Sequence, residues 1–149
     1  MEKTSMTIEE FNDTKAEMIR LADEMWETHG YPFWITYPVN LNEPKYEAFR
    51  KYSAFVIGSL YWDVLTKNAA PDTSYELLPE WYMDPTEPCA SIGWRMGSGE
   101  SYVICLQTFL DSLTEEEQEA WNNKYPVPPH FDIETCDKWF EQHPELFEE

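Results

Sequence analysis

Side chains that do chemistry are few in this chain and badly placed for it. The three histidines, His29, His130 and His143, stand far apart, and none is flanked by a pattern that makes it a base or a ligand. No GxSxG, HExxH, CxxC, Walker A or GxGxxG run occurs, so the spacings that place a nucleophile, a zinc pair or a phosphate cradle are missing. Gly97-Ser98-Gly99 is too short to cradle a phosphate and reads as a turn. His130, Asp132 and Glu134 offer a carboxylate-rich ligand set, but an N-cap Asp followed by a first-turn Glu accounts for the same residues. Cys136 and His143 lie seven apart, and Glu134, Asp137 and Glu141 around them raise the thiol pKa and blunt a nucleophile. Cys89, Cys105 and Cys136 are odd in number and widely spaced, which fits reduced thiols. No catalytic residue, cofactor, metal or disulfide is expected.

What the chain has in excess is carboxylate. It holds 29 Asp and Glu against 10 Lys and Arg, a formal charge of −19 on 149 residues. Too few cations remain to neutralise phosphates, which excludes the ordinary nucleic-acid binder and attraction to an anionic membrane surface. With 42% hydrophobic residues, 8 Phe, 7 Trp and 9 Tyr, it is too apolar for a disordered acidic tail. The charge is uneven: residues 1–30 carry −5, 31–70 carry +1, 71–110 carry −5 and 111–149 carry −10. Charge runs usually form solvated faces. An excess of this size repels itself within a Debye length of about 8 Å, which opposes compaction and points to a use.

The elements that must hold this charge follow from periodicity. Thr7-Ile8-Glu9-Glu10 has capping-box spacing and opens a helix to about Gly30, with Ile8, Phe11, Met18, Ala22 and Met25 as its buried stripe. Its outer face carries Glu9, Asp13 and Glu17. Pro32, Pro38 and Pro44 break any helix over 31–44, which reads as a short strand or an extended aromatic strap. A long helix is expected from an Asn42 N-cap to about Lys67, apolar on most sides and central to the core. Trp62 is placed inside it, so that Trp62→Ala costs about 3–5 kcal/mol. The segment Tyr75-Glu76-Leu77-Leu78 reads as a short strand between prolines. Cys89–Met96 alternates, Gly97-Ser98-Gly99 turns and Tyr102–Leu106 returns, which reads as a β-hairpin. Thr114-Glu115-Glu116-Glu117 opens a helix to about Lys124, and Asp132 caps a last one. The expectation is a single α+β domain over 1–149, a small antiparallel hairpin or sheet packed against about four helices.

Trp26, Trp62, Trp94 and Trp139 fall on apolar faces and read as core. Trp34, Trp81 and Trp121 have no obvious buried stripe; with Tyr31, Tyr37, Tyr82 and Tyr125 they are the interface candidates, because Trp and Tyr dominate interface hot spots. In general character the chain resembles the small acidic inhibitors of phages and mobile elements, the DNA-mimic antirestriction and anti-CRISPR proteins. The resemblance lies in size, acidity and missing catalytic motifs. It implies a non-enzymatic cytoplasmic protein that blocks the basic nucleic-acid-binding surface of a nuclease or similar complex. Glu115, Glu116, Glu117, Glu119 and Trp121, with Glu9, Asp13, Glu17, Trp34 and Trp81, are then the partner-binding residues. An immunity protein or antitoxin against a basic toxin uses the same physics. A small hydrolase or sugar-binding domain using carboxylates and exposed aromatics is the reading from a different class, although so acidic a chain forms carboxylate pairs of glycosidase type by chance.

Overall fold

The first helix begins where the sequence places it. The Glu10 N–H donates to Thr7 Oγ1 at 3.1 Å, and the Thr7 hydroxyl donates to Glu10 Oε1 at 3.0 Å. A computed structural model describes residues 5–29, 39–68, 70–86, 97–128, 134, 138, 141 and 142. Within it, α1 spans Ile8–His29 and buries Phe11, Met18, Leu21, Ala22, Met25 and Trp26. Ile8, assigned to the same stripe, is 44% exposed because it stands on the first turn, ahead of the packed length.

Residues 44–67 form a continuous rod in four pieces. A 3-10 turn over Pro44–Tyr46 leads into α2 (Glu47–Phe55), a π-turn over Val56–Leu60 and α3 (Tyr61–Lys67). Pro44 sits in the first turn as expected, but Glu43, not Asn42, occupies the N-cap position. The Asn42 N–H is taken instead by the Asn40 side chain at 3.0 Å, a local turn that competes with the cap. Asn68, at φ 48°, supplies the left-handed residue that ends α3. The rod is the spine of the fold: α1 packs on α2, and α5 (Gly97–Asp111) packs on the π-turn and α3.

The π-turn decides what the second half of the rod buries. An extra residue in one turn rotates everything after it by about 100°. In an unbroken α-helix Asp63 would follow Tyr52, Val56 and Ser59 onto the core side. With the π-turn Val64 packs against the core in its place, and Trp62 turns outward. Trp62 is 51% exposed and Leu65 56%, so the expectation of a buried Trp62 is overturned.

The α+β expectation fails as well. Among the described residues there is no strand. Tyr102–Leu106, the supposed return strand, lies inside α5, and Gly97-Ser98-Gly99 opens that helix instead of turning a hairpin. Five residues are too few to separate the two periods: Tyr102, Cys105, Leu106 and Phe109 are buried at helical spacing, three, four and seven residues on. Cys89, Trp94 and the rest of the outgoing strand lie outside the described residues. Thr114 caps α6 (Glu115–Lys124) with the full reciprocal box, as its sequence requires. Of the last expected helix, Glu134, Lys138, Glu141 and Gln142 are helical and exposed; Asp132, Cys136 and Trp139 lie outside the described residues.

Between α3 and α5, after the buried Pro71, the chain runs irregularly to Leu77, Leu78 and Pro79, all buried, then into α4 (Glu80–Met83). It is not the strand that Tyr75–Leu78 suggested. Buried backbone groups still need partners, and here side chains from four helices supply them. Lys15 Nζ of α1 donates to the Glu76 carbonyl at 2.8 Å, and Trp121 Nε1 of α6 to the Leu77 carbonyl at 2.8 Å. The Leu78 N–H donates to the Tyr52 hydroxyl of α2 at 2.8 Å, and the Tyr102 hydroxyl of α5 donates to the Leu78 carbonyl. With Tyr52 then donating to Tyr102, the two phenols close a ring around Leu78. Residues 76–78 are the hub to which α1, α2, α5 and α6 are tied.

Candidate functional site

The carboxylates proposed from the sequence fall into two groups. Along α1, Glu9, Asp13 and Glu17 lie on the solvent side, where Arg20 pairs with Glu17 and, at 3.2 Å, with Glu24. The Arg20 hydrogen bond holds the Glu17 carboxyl below its ordinary range. Asp13 and Glu17 also line a groove of about 360 Å³ together with Lys45 and Lys51 at the start of the rod. This stripe is partly neutralised.

The second group, on α6, is not. Glu115, Glu116 and Glu119 are exposed, and among the described residues none has a cation within ion-pair distance. Glu117 is exposed too, and its Oε1 accepts the Thr114 N–H at 2.9 Å in the capping box. Asp111, absent from the residues singled out in the sequence, is exposed four residues before Glu115 at the α5–α6 corner. The signal for it was present: a carboxylate three residues before the Thr114 cap stands next to the acidic first turn. First-turn acids complement the helix dipole, but Asp111 and Glu119 lie outside that turn.

The two groups do not merge where the helices meet. Glu76 joins α1 to α6: its Oε2 accepts from Lys124 Nζ at 2.8 Å and from the Tyr125 hydroxyl at 2.7 Å, with Lys15 Nζ 3.7 Å away. At ~100° per residue, Glu9, Asp13 and Glu17 sit some 120–160° around α1 from Lys15, turned away from that junction. Asp13 and Glu17 of α1 border the groove beside the rod; the acids of α6 face water.

Apart from the Glu17–Arg20 pair on α1, perturbed ionisation marks the junction and not the α6 acids. Burial pushes the Glu76 carboxyl up, but hydrogen bonds from Lys124 and Tyr125 and the charge of Lys15 outweigh it and leave it below its ordinary range. Burial lowers Lys15, against the pull of Glu76, and raises the Tyr125 phenol. Burial also pushes the Cys105 thiol up to about 12, which makes it a small apolar side chain and no nucleophile. These displaced groups tie helices together or fill the core. Among the described residues no group of His, Cys, Asp or Glu could hold a metal ion.

The aromatic candidates divide differently from the expectation. Trp81 and Trp121 are each only 7% exposed, and Tyr125 is buried beside Trp121. Tyr82 is half-buried between Trp26 and Tyr125, with its hydroxyl on Asp23 at 3.1 Å. These residues hold the fold. Trp34, Tyr31 and Tyr37 lie outside the described residues. The described tryptophan that does reach solvent is Trp62. No helix among the described residues is long and apolar enough to cross a membrane. No family model, no curated protein and no solved structure matches this chain.

Proposed function

We propose that this is a non-enzymatic acidic binding protein of the cytoplasm. It covers the basic nucleic-acid-binding surface of a partner, in the manner of DNA-mimic antirestriction and anti-CRISPR inhibitors. The observation that carries the reading is the α6 corner, where Asp111, Glu115, Glu116 and Glu119 stand exposed without a described cation beside them. A row of carboxylates on a rigid capped helix presents negative charge as a phosphate backbone does, and it steers encounter with a basic surface. The α1 stripe, shared with Lys45 and Lys51, is secondary in this reading. Trp81 and Trp121 drop out as anchors, because their rings are already used inside the fold.

The test is a competition titration on the basic partner captured from the host, with labelled DNA or RNA. Saturating protein is expected to displace the nucleic acid, and binding is expected to weaken steeply with salt. Changing Glu115, Glu116, Glu117 and Glu119 together to Gln should slow association more than it speeds dissociation, since distributed charge acts on encounter. Gln at 117 keeps the capping box, so the helix start survives the change. Equal nucleic-acid binding with and without the protein overturns the reading; neutralisation of a basic toxin without such competition moves the immunity role ahead.

A further inference from the structure

Apart from the hydrogen bonds of Arg50, the rod presents one face that neither the fold nor the acidic site uses. Arg50, Ala54, Gly58, Trp62 and Leu65 recur at steps of four, four, four and three residues, one line along its outer side. At one end of that line is a groove of about 360 Å³ lined by Leu41, Phe49, Arg50, Ala54 and Met83, with Ser53 and Asp84 as its other polar residues. At the other end Trp62 and Leu65 stand 51% and 56% exposed, on a helix that buries none of its residues. A pocket with an apolar floor, a methionine sulfur and a guanidinium is suited to an aromatic ring, which packs on the first two and stacks on the third. Arg50 gives its Nη1 to the Leu41 and Glu43 carbonyls at 2.7 and 2.9 Å, so its guanidinium is held in place.

We propose that a second copy of this chain docks on this face, with Trp62 of each copy in the groove beside Phe49 of the other. Knob and hole lie on the same line, with Ala54 and Trp62 eight residues apart, or about 12 Å at 1.5 Å per residue. Two rods crossed antiparallel on a two-fold axis therefore fill both holes at once, and the assembly closes. The axis passes near Gly58, midway between the two, where the missing side chain lets the helices approach. Electrostatics selects the occupant. In a chain of charge −19, residues 44–67 carry two acids against four bases. Two of those bases pair locally, Lys51 with Glu47 and Lys67 with Asp63, each at 3.5 Å. With the groove's one carboxylate, Asp84, offset by Arg50, two copies meet here over a surface far less acidic than the chain as a whole, whereas a basic partner meets cations.

Sedimentation velocity and light scattering test this directly. Mass is expected to rise from monomer towards dimer between about 10 and 500 µM. Self-association should strengthen at about 0.5 M salt, where residual like-charge repulsion is screened, opposite in sign to the salt effect on a basic partner. Trp62→Ala, and separately Ala54→Arg to fill the groove, should each raise the dimer Kd about 30-fold or more. Both positions are exposed in the monomer, so circular dichroism should show both variants folded. A monomer throughout that concentration range overturns the proposal and leaves the face to a different protein. A dimer indifferent to Trp62→Ala overturns it as well, and one indifferent to Ala54→Arg alone overturns the seating of the ring in the groove. None of these outcomes depends on the nucleic-acid competition, so each proposal fails on its own measurement.

Discussion

Two short helices, α3 and α6, each carry one tryptophan, and each treats it in the way its composition argues against. Tyr61–Lys67 ends a rod rich in apolar residues, yet it buries none of its own and turns Trp62 to water. Glu115–Lys124 is dense in charge and amide, yet it buries Trp121 to 7% exposure and hangs on it. The difference is attachment. α6 is fixed by directed bonds, Trp121 to the Leu77 carbonyl and Lys124 and Tyr125 to Glu76. α3 continues a rod that is already anchored, so Trp62 and Leu65 are free to face outward while Tyr61 and Val64 pack against the core. How apolar a helix is does not say which of its side chains is inside; register and neighbours do.

The sharpest way to break the comparison is to truncate both rings. Trp121→Ala should cost about 3–5 kcal/mol, from lost burial, a cavity and an unmet Leu77 carbonyl. Trp62→Ala should cost about 1 kcal/mol or less, as surface changes do. Urea unfolding followed by circular dichroism gives both values. Similar costs at the two positions would show that α3 is packed as α6 is, and that the register set by the π-turn is wrong.

The same contrast explains how much was legible beforehand. Helix starts written in local chemistry, Thr7 with Glu10 and Thr114 with Glu117, were readable, because a cap needs only four residues. The rod and its role as spine were readable from Phe49, Val56 and Leu60, whose spacing is helical. The π-turn was not, since one inserted residue leaves no sign in composition, and Trp62 went astray with it. Tyr102–Leu106 misled for a different reason: a short apolar run fits strand and helix alike until Phe109 extends it. The burial of Trp121 was invisible because its partner is a backbone carbonyl 44 residues away. Of the candidate site, the α6 acids were readable as a cluster. Their separation from the α1 acids was not, because it depends on which side of α1 meets Glu76.

A smaller effect tests whether residues 76–78 are the hub. Tyr102→Phe removes the donor to the Leu78 carbonyl and the acceptor for Tyr52, both deep in the core. The expected cost is about 1–3 kcal/mol, the penalty of unmet buried polar groups. Tyr52→Phe leaves the Leu78 N–H unmet, and the double variant should cost less than the sum of the two, since each single change already breaks the ring. Additive costs in the double-mutant cycle would show that the two phenols act separately.

The smallest expected effect separates α6 from α3 by pH. Glu76 is held below its ordinary carboxylate range, with Lys124, Tyr125 and Lys15 outweighing the effect of burial. In the window between its folded pKa and its unfolded one, the unfolded chain binds more protons, so stability rises with pH there. The contribution is full above the ordinary carboxylate pKa and is lost as pH falls through the folded value. Asp23 and Glu80, raised by burial, run the other way: their folded forms hold the proton longer, and stability falls as pH rises through their windows. The raw pH profile therefore mixes signs, and the difference between wild type and Glu76→Gln isolates one of them. Because Lys124 and Glu76 are partly exposed, the difference at neutral pH should be about 0.2–1 kcal/mol. It should shrink towards zero as pH falls through and below the folded value. Amide exchange locates it: Glu76→Gln should speed exchange in α6, which hangs on that carboxylate, and leave α3 as it was. Equal acceleration in both helices would mean that α6 opens only when the whole molecule does, and that its attachment is no more local than that of α3.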